Sequence, residues 1–280
     1  MKKILKNLML LMPKGMAHKI LYRKKMHKKL NLKNPKDLNE KIHWLMVNEY
    51  DKKYGELADK YKVRDYISKK GFEKILPKLY GVYNNSDEID FENLPDKFVI
   101  KPNNGCGNIF ICLDKNKFDF ESCKEKLNNA IKKSFSSALL EYHYKYIEPK
   151  IICEEYLDDG NGKNPNDYKF FCFNGKVECC LVCSDRSNGN YRDYFDKSWN
   201  YLDYTKKEKH NPNTINKPSN YKEMIKIAES LSKDFKFVRV DLYNINGKTY
   251  FSELTFSPAA GLNNNLKQDA LNYLGSLIKL

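Results

Sequence analysis

Two Asn–Gly dipeptides, Asn174–Gly175 and Asn246–Gly247, each lie between two apolar runs. A two-residue connection needs positive φ at its central residues, which Asn and Gly tolerate best, and the resulting turn matches the twist of antiparallel strands. YKFFCFNGKVECCLVCSDR (residues 168–186) and FVRVDLYNINGKTYFSELTF (residues 237–256) are therefore predicted hairpins. KFVIKP (97–102), the turn NNGCGN and IFICLD (109–114) predict a third, and KIICEEYL (150–157) a further strand. Apolar residues at helical spacing predict helix over residues 36–70, most of 118–146, 221–233 and 268–277. Ile75 to Tyr83 reads as extended, SPAAGLNNN as a loop, and residues 187–220 show little regular pattern. The fold class is α+β in two or three lobes. No GxGxxG and no Walker GxxxxGK[ST] occurs, which removes the usual support for Rossmann and P-loop readings.

Charge divides the chain. The formal net charge is +14, but residues 1–30 hold ten Lys or Arg and no acid, leaving +4 on the rest. That balance, with no reader motif, argues against nucleic-acid recognition. The apolar run Leu8–Met12 is too short for a signal peptide and is cut by Pro13. Three readings of the segment stay open: a helix packed on its own protein, a basic amphipathic surface on an anionic membrane and, least favoured, a nucleic-acid contact. The eight cysteines are expected to be reduced structural thiols. Cys180 and Cys183 have CxxC spacing, but residues three apart on a strand face opposite sides, against joint metal ligation.

Several residues have the chemistry of a phosphate and metal site. Lys101 ends a strand and can place a point charge on a phosphate, and the Gly105–Gly107 turn lets backbone N–H groups approach an anion. Asp241 and Glu253 can face each other across the second Asn–Gly hairpin, with Arg239 on the face of Asp241 and Thr255 on the face of Glu253. Two hard oxygen ligands beside a cation suit Mg²⁺ with a polyphosphate; a plain cross-strand Arg–carboxylate pair is the alternative. Glu154, Glu155, Tyr156 and Leu157 end an apolar strand and can serve a base and ribose or solubilise a sheet edge. Lys169 can add a second phosphate cation, and Arg186 can bind an anionic acceptor.

The order of these pieces resembles the ATP-grasp superfamily, in particular its TupA-like branch associated with bacterial surface-polysaccharide gene sets. FVIKPNNGCGN, IICEEYL, DYKFFCFNGK, the Asp185–Arg186 pair and FVRVDLYNINGKTYFSELTFSPAAG carry the resemblance, which spans about residues 35–275. It implies ATP between two α+β lobes; the charge pattern adds a basic helical N-terminal segment ahead of them. The expected division is residues 1–30, a pre-grasp region at 31–90, a first lobe at 91–157 and a second at 158–280. By the resemblance, Lys101 and Lys169 touch phosphates and Gly105, Gly107 and Asn108 belong to a loop closing over them. Glu154, Glu155, Tyr156 and Leu157 line the adenine and ribose site. Arg239, Lys169 and Arg186 are the catalytic candidates. Asp241 and Glu253 hold Mg²⁺, and Thr255 stands where many members have an Asn ligand. Ser257 to Gly261 border the substrate carboxylate.

The implied reaction joins a carboxylate to an amine through an acylphosphate, on a uronic-acid-containing glycan or its precursor with an amino acid or other amine. A sugar kinase on the same fold and, further off, a glycosyltransferase are the alternatives. The expected location is the cytoplasm, with attachment to the inner face of the membrane if the basic segment meets lipid.

Overall fold

The computed structural model describes residues 11–105, 107–132, 139–160, 164–185, 189–206 and 209–280. Arg186, Cys106 within the Gly105–Asn108 loop, and the first ten residues of the basic segment lie outside them.

The strands form two antiparallel sheets. The first has the order β1 (Leu79–Tyr83), β4 (Ile151–Glu155), β2 (Phe98–Pro102) and β3 (Phe110–Cys112). Strand alternation gives it two chemically different faces. Phe98, Ile100, Ile151 and Cys153 are buried with Leu127 and Cys123 of helix α5 (Phe120–Ile131). Val99, Lys101 and Glu154 face the other way. Although β1 precedes residue 91, it pairs with β4 and so joins the first-lobe sheet.

The second sheet has the order β10 (Lys248–Thr255), β9 (Phe237–Ile245), β5 (Asp167–Phe173), β6 (Lys176–Ser184), β7 (Tyr191–Asp196) and β8 (Tyr201–Leu202). Both Asn–Gly turns form as expected, with φ of 48° and 77° at Asn174 and Gly175 and of 51° and 84° at Asn246 and Gly247. Helix α6 (Tyr221–Ser232) covers one face through Met224, Ile227, Ala228 and Leu231, packing against Phe170, Cys172, Val238 and Val240. Cys180 pairs with Phe170 on that core side, whereas Cys183 pairs with Asp167 and lines the opposite face, so the CxxC thiols are separated by the sheet. The seven described cysteines are free and buried.

The expectation of little regular structure over 187–220 is corrected: β7 and β8 lie there, Tyr-Arg-Asp-Tyr-Phe-Asp alternating across the sheet edge. Residues 36–70 are three short helices, α2 (Leu38–Asn48), α3 (Lys52–Ala58) and α4 (Val63–Lys69), with α2 and α3 capped by Asp37 and Asp51. SPAAG includes a 3-10 turn, Pro258–Gly261, and helix α7 (Gln268–Ser276) packs on α2.

The basic segment continues as helix α1 (Lys14–Met26), which docks on the body through Ala17, His18, Leu21 and Tyr22 with its Lys and Arg side chains in solvent. His18 Nδ1 lies 2.7 Å from His43 Nδ1 of α2, both rings fully buried. One ring must donate and the other accept, so the accepting ring is neutral. Burial lowers His18 to about 4 and His43 to about 3. A histidine held below its unfolded value loses its stabilising contribution as pH falls below 6.5 and through the folded value. Amide exchange in α1, corrected for intrinsic rates, is expected to speed up on the order of tenfold between pH 7 and pH 5. In His18→Gln that pH-dependent step is expected to shrink, with His43 alone left to carry it.

Candidate active site

The site is built where the two sheets face each other. On β9, alternation turns Arg239, Asp241 and Tyr243 toward the first sheet, while Val238, Val240 and Leu242 enter the core. On β5 the same rule turns Asp167, Lys169 and Phe171 that way. Strand β10 needs an irregularity to match. The two-residue turn pairs Phe251 with Leu242, both core residues, and continued pairing would set Asp241 opposite Ser252. A bulge at Ser252 shifts the register so that Glu253 pairs with Asp241 and Thr255 with Arg239. The expected Asp241–Glu253 opposition is present, and the bulge produces it.

These side chains form one ion network. Lys169 Nζ is 2.5 Å from Asp241 Oδ2 and 3.6 Å from Asp167 Oδ1. Arg239 donates Nε to Asp241 Oδ1 and Nη2 to Asp241 Oδ2, both at 2.7 Å, in a two-point fork. Its Nη2 also reaches Thr255 Oγ1 at 3.1 Å and Glu253 Oε1 at 3.4 Å, and the Thr255 hydroxyl donates to Glu253 Oε1 at 3.0 Å. The pair foreseen as a solvated alternative is thus present but buried, with Asp241 0% exposed. Burial pulls the Lys169 ammonium down, but Asp241, Asp167 and Glu253 together more than offset it and the pKa is raised. Burial likewise opposes ionisation of Glu253, yet Lys60, Lys169 and Arg239 hold its carboxyl far below the usual carboxylate range.

Lys60 is the member that reading the sequence missed. Its Nζ donates to Gly105 O at 2.7 Å in the first-lobe turn and sits 3.2 Å from Glu253 Oε2 in the second sheet. It is held there from both sides. Asp59, buried just before it, accepts from the Tyr61 and Lys62 N–H groups, and Lys60 N donates to Asn103 O. Asn103 in turn exchanges hydrogen bonds with Glu148 and Lys150. Arg64 was missed as well: its Nη1 lies 3.2 Å from Glu154 Oε1, while Lys101 Nζ lies 2.6 Å from Glu154 Oε2. Helical periodicity marked α3 and α4 as helices without singling out these cations.

The remaining candidates fall into two joined pockets. A cleft of about 620 Å³ is lined by Lys60, Lys101, Gly105, Gly107, Lys169, Arg192, Arg239 and Glu253. Beside it, a pocket of about 230 Å³ has apolar walls of Val99, Ile109, Ile111, Leu157 and Phe251, with Glu154, Glu155 and Tyr156 on its rim. Lys101, Ile109, Asp167, Tyr243 and Ser252 line both. Asn108, at φ 50°, is exposed in the loop and lines neither pocket. Ser257 is buried and donates to Glu141 Oε1 at 2.5 Å, and burial raises that carboxyl to about 7.

Residues 40–279 match the model of the TupA-like ATP-grasp family. The chain belongs to this family. Among solved structures, this TupA-like ATP-grasp chain is similar to the L-amino acid ligase from Bacillus licheniformis, with 11% identity and a TM-score of 0.51 over 89% of this chain and 56% of that one. It is also similar to the D-alanine–D-alanine ligase from Helicobacter pylori, at 16% identity and a TM-score of 0.44, over 80% and 61% of the two chains. The chain thus spans less than two thirds of the length of either. The first likeness supports the two-lobed ATP-grasp fold. No curated protein sequence gives a match.

Asp241→Asn is expected to destabilise the fold by about 3 kcal/mol in urea unfolding, because it leaves two buried cations facing a neutral amide. Thr255→Ala, which removes one hydrogen-bonding side chain from the network's edge, should cost about 1 kcal/mol.

Proposed function

We propose that this protein is an ATP-dependent carboxylate–amine ligase. The observation that carries the reading is the convergence of Lys60, from the turn after α3, and Lys101, Lys169 and Arg239, from the two sheets, on one cleft beside an apolar pocket. That arrangement suits a nucleotide with its base among Val99, Ile109, Ile111 and Leu157 and its triphosphate along the cations. Gly105 and Gly107, which line the cleft, can offer backbone N–H groups to the phosphates. Ammonium and guanidinium groups fixed before the reaction offset charge on a transferring phosphoryl group without reorganisation.

In the first step a substrate carboxylate oxygen attacks the γ-phosphorus, the bond to the β-bridging oxygen breaks, and ADP leaves. In the second an amine attacks the acyl carbon, phosphate departs with the former carboxylate oxygen, and the amine nitrogen loses a proton. Lys169 and Arg239 steady charge in the first step. Among the described residues no histidine lines either pocket, so no Ser–His or Cys–His nucleophile is assembled there.

The donors suit Mg²⁺ chemically, being hard oxygens in a cationic cleft. Glu253 lines the cleft and is the accessible carboxylate. Asp241 is fully buried, with both oxygens engaged by Lys169 and Arg239, and the Thr255 hydroxyl is engaged by Arg239 and Glu253. Among the described residues no three His, Cys, Asp or Glu side chains cluster to hold a metal by themselves. Glu253, with Asp241 and Thr255 behind it, would therefore hold a metal carried on the nucleotide. Mg²⁺ supplies charge neutralisation at the phosphates.

The branch association supports a glycan-related acceptor, for which a uronic acid supplies the carboxylate. Screening uronic acids with amines should reveal joint stimulation of ADP release, with ¹⁸O moving from labelled carboxylate into phosphate. ADP release with the acid alone and no ¹⁸O transfer would instead indicate a hydroxyl kinase.

Among the described residues no helix is long and apolar enough to cross a membrane. The outer face of α1 combines Met16 and Ile20, 53% and 37% exposed, with Lys19, Arg23 and Lys24. This face supports a cytoplasmic protein resting on an anionic membrane surface. The full chain is expected to co-sediment with phosphatidylglycerol vesicles at low salt and not with phosphatidylcholine vesicles. Equal recovery with both would remove the membrane role.

A further inference from the structure

Beyond Lys169 the floor of the cleft changes character. Strand register sets Leu181 beside Lys169, Tyr194 beside Leu181, and Arg192 beside Cys183. Leu181 and Cys183 thus form an apolar step, and Arg192 rises past it, two strands or about 10 Å from β5. Arg192, Arg239, Leu181 and Ala259 line both the cleft and a side pocket of about 100 Å³. Leu38, Ile42 and Phe171 close that pocket.

Two features suit this pocket to a ligand. It sets the Arg192 guanidinium, beside an Arg239 already forked onto Asp241, against walls that include Leu38, Ile42 and Phe171, a setting that favours an anion. Its wall also carries backbone strain, with Ala259 at φ 51° and Ala260 at φ 54°, two consecutive left-handed alanines. Such backbone persists only where its surroundings enforce it, and it clusters at ligand-binding positions. Here Gly261 is pressed against His43 and Ile42, and Asn39 holds Asn263 by two hydrogen bonds.

The chemistry selects the kind of anion. The phosphate end of the cleft is served by ammonium groups and a glycine turn. Among the described residues no ammonium group lines the side pocket, which presents guanidinium groups, whose planar fork matches a carboxylate. We propose that Arg192 recognises the acceptor's carboxylate, and that the pocket beside Arg239 receives a carboxylate-bearing group with an apolar face. The proposal rests on the ligase reading and adds the residue that selects its acid.

The test uses the full chain loaded with Mg²⁺ and a non-hydrolysable ATP analogue. Ligand-observed NMR is run with D-glucuronate, D-galacturonate and L-glutamate, and with D-glucose as the neutral control. At least one carboxylate should bind where glucose does not. Its affinity should fall about tenfold or more in Arg192→Ala and less in Arg192→Lys, while affinity for the ATP analogue changes by less than about threefold. In turnover, the KM for the acid should rise more than kcat falls. Equal carboxylate binding by wild type and Arg192→Ala would overturn the proposal, as would a loss of nucleotide affinity matching the loss of carboxylate affinity. Absence of carboxylate binding by wild type would overturn it too. Carboxylate binding that depends on Arg192, without acid-stimulated ADP release, would leave the subsite standing and remove the ligase reading instead.

Discussion

The cleft between the two sheets depends on keeping cations close together, and the proposed phosphate chemistry rests on that. Lys60, Lys169 and Arg239 would repel one another there, and each resists burial. Asp241 makes the arrangement stable by taking Lys169 on one oxygen and the Arg239 fork on both. Glu253 does the same between Arg239 and Lys60. The result is a set of positive groups fixed in direction before any substrate arrives, which is the condition under which electrostatics lowers a barrier most.

The same network ties the lobes together. Lys60 joins the Gly105 turn of the first lobe to Glu253 of the second through one ammonium group. A polyphosphate entering the cleft would compete with Glu253 for Lys60, and with Glu154 for Lys101. Polyphosphate binding there would therefore be coupled by charge to the set of the glycine turn. At the far end, α1 docks on α2 through His18 and His43, and His43 backs Gly261 of the turn beside the side pocket. The described part of the basic segment, α1, is thus packed on its own protein and still leaves a basic, partly apolar face outward.

Much of this was legible in the chain because it rests on local rules. The Asn–Gly turns announced both second-lobe hairpins, and alternation placed Arg239 with Asp241. Lys101, Lys169, Gly105 and Gly107 were recognisable from residue type at strand ends and turns, and all line the cleft. Lys60, Arg64 and Arg192 were not legible. The first two sit on or beside short helices whose periodicity reports burial and not what a long side chain reaches. Arg192 lies in a polar stretch whose strand character comes from pairing with β6, a partner far more apolar than itself.

The sequence by itself determined antiparallel hairpins, two α+β lobes, a basic N-terminal helix and a family. Each follows from turn chemistry, periodicity, or residues kept in order along the chain. Only the tertiary structure decided which side chains meet. Uninterrupted pairing from the Asn246–Gly247 turn would set Asp241 against Ser252 and return Glu253 to the core face with Phe251. One extra residue, Ser252, reverses the phase of β10 and turns Glu253 and Thr255 toward the cations. A strand's side-chain period is two, so a one-residue bulge exchanges its faces.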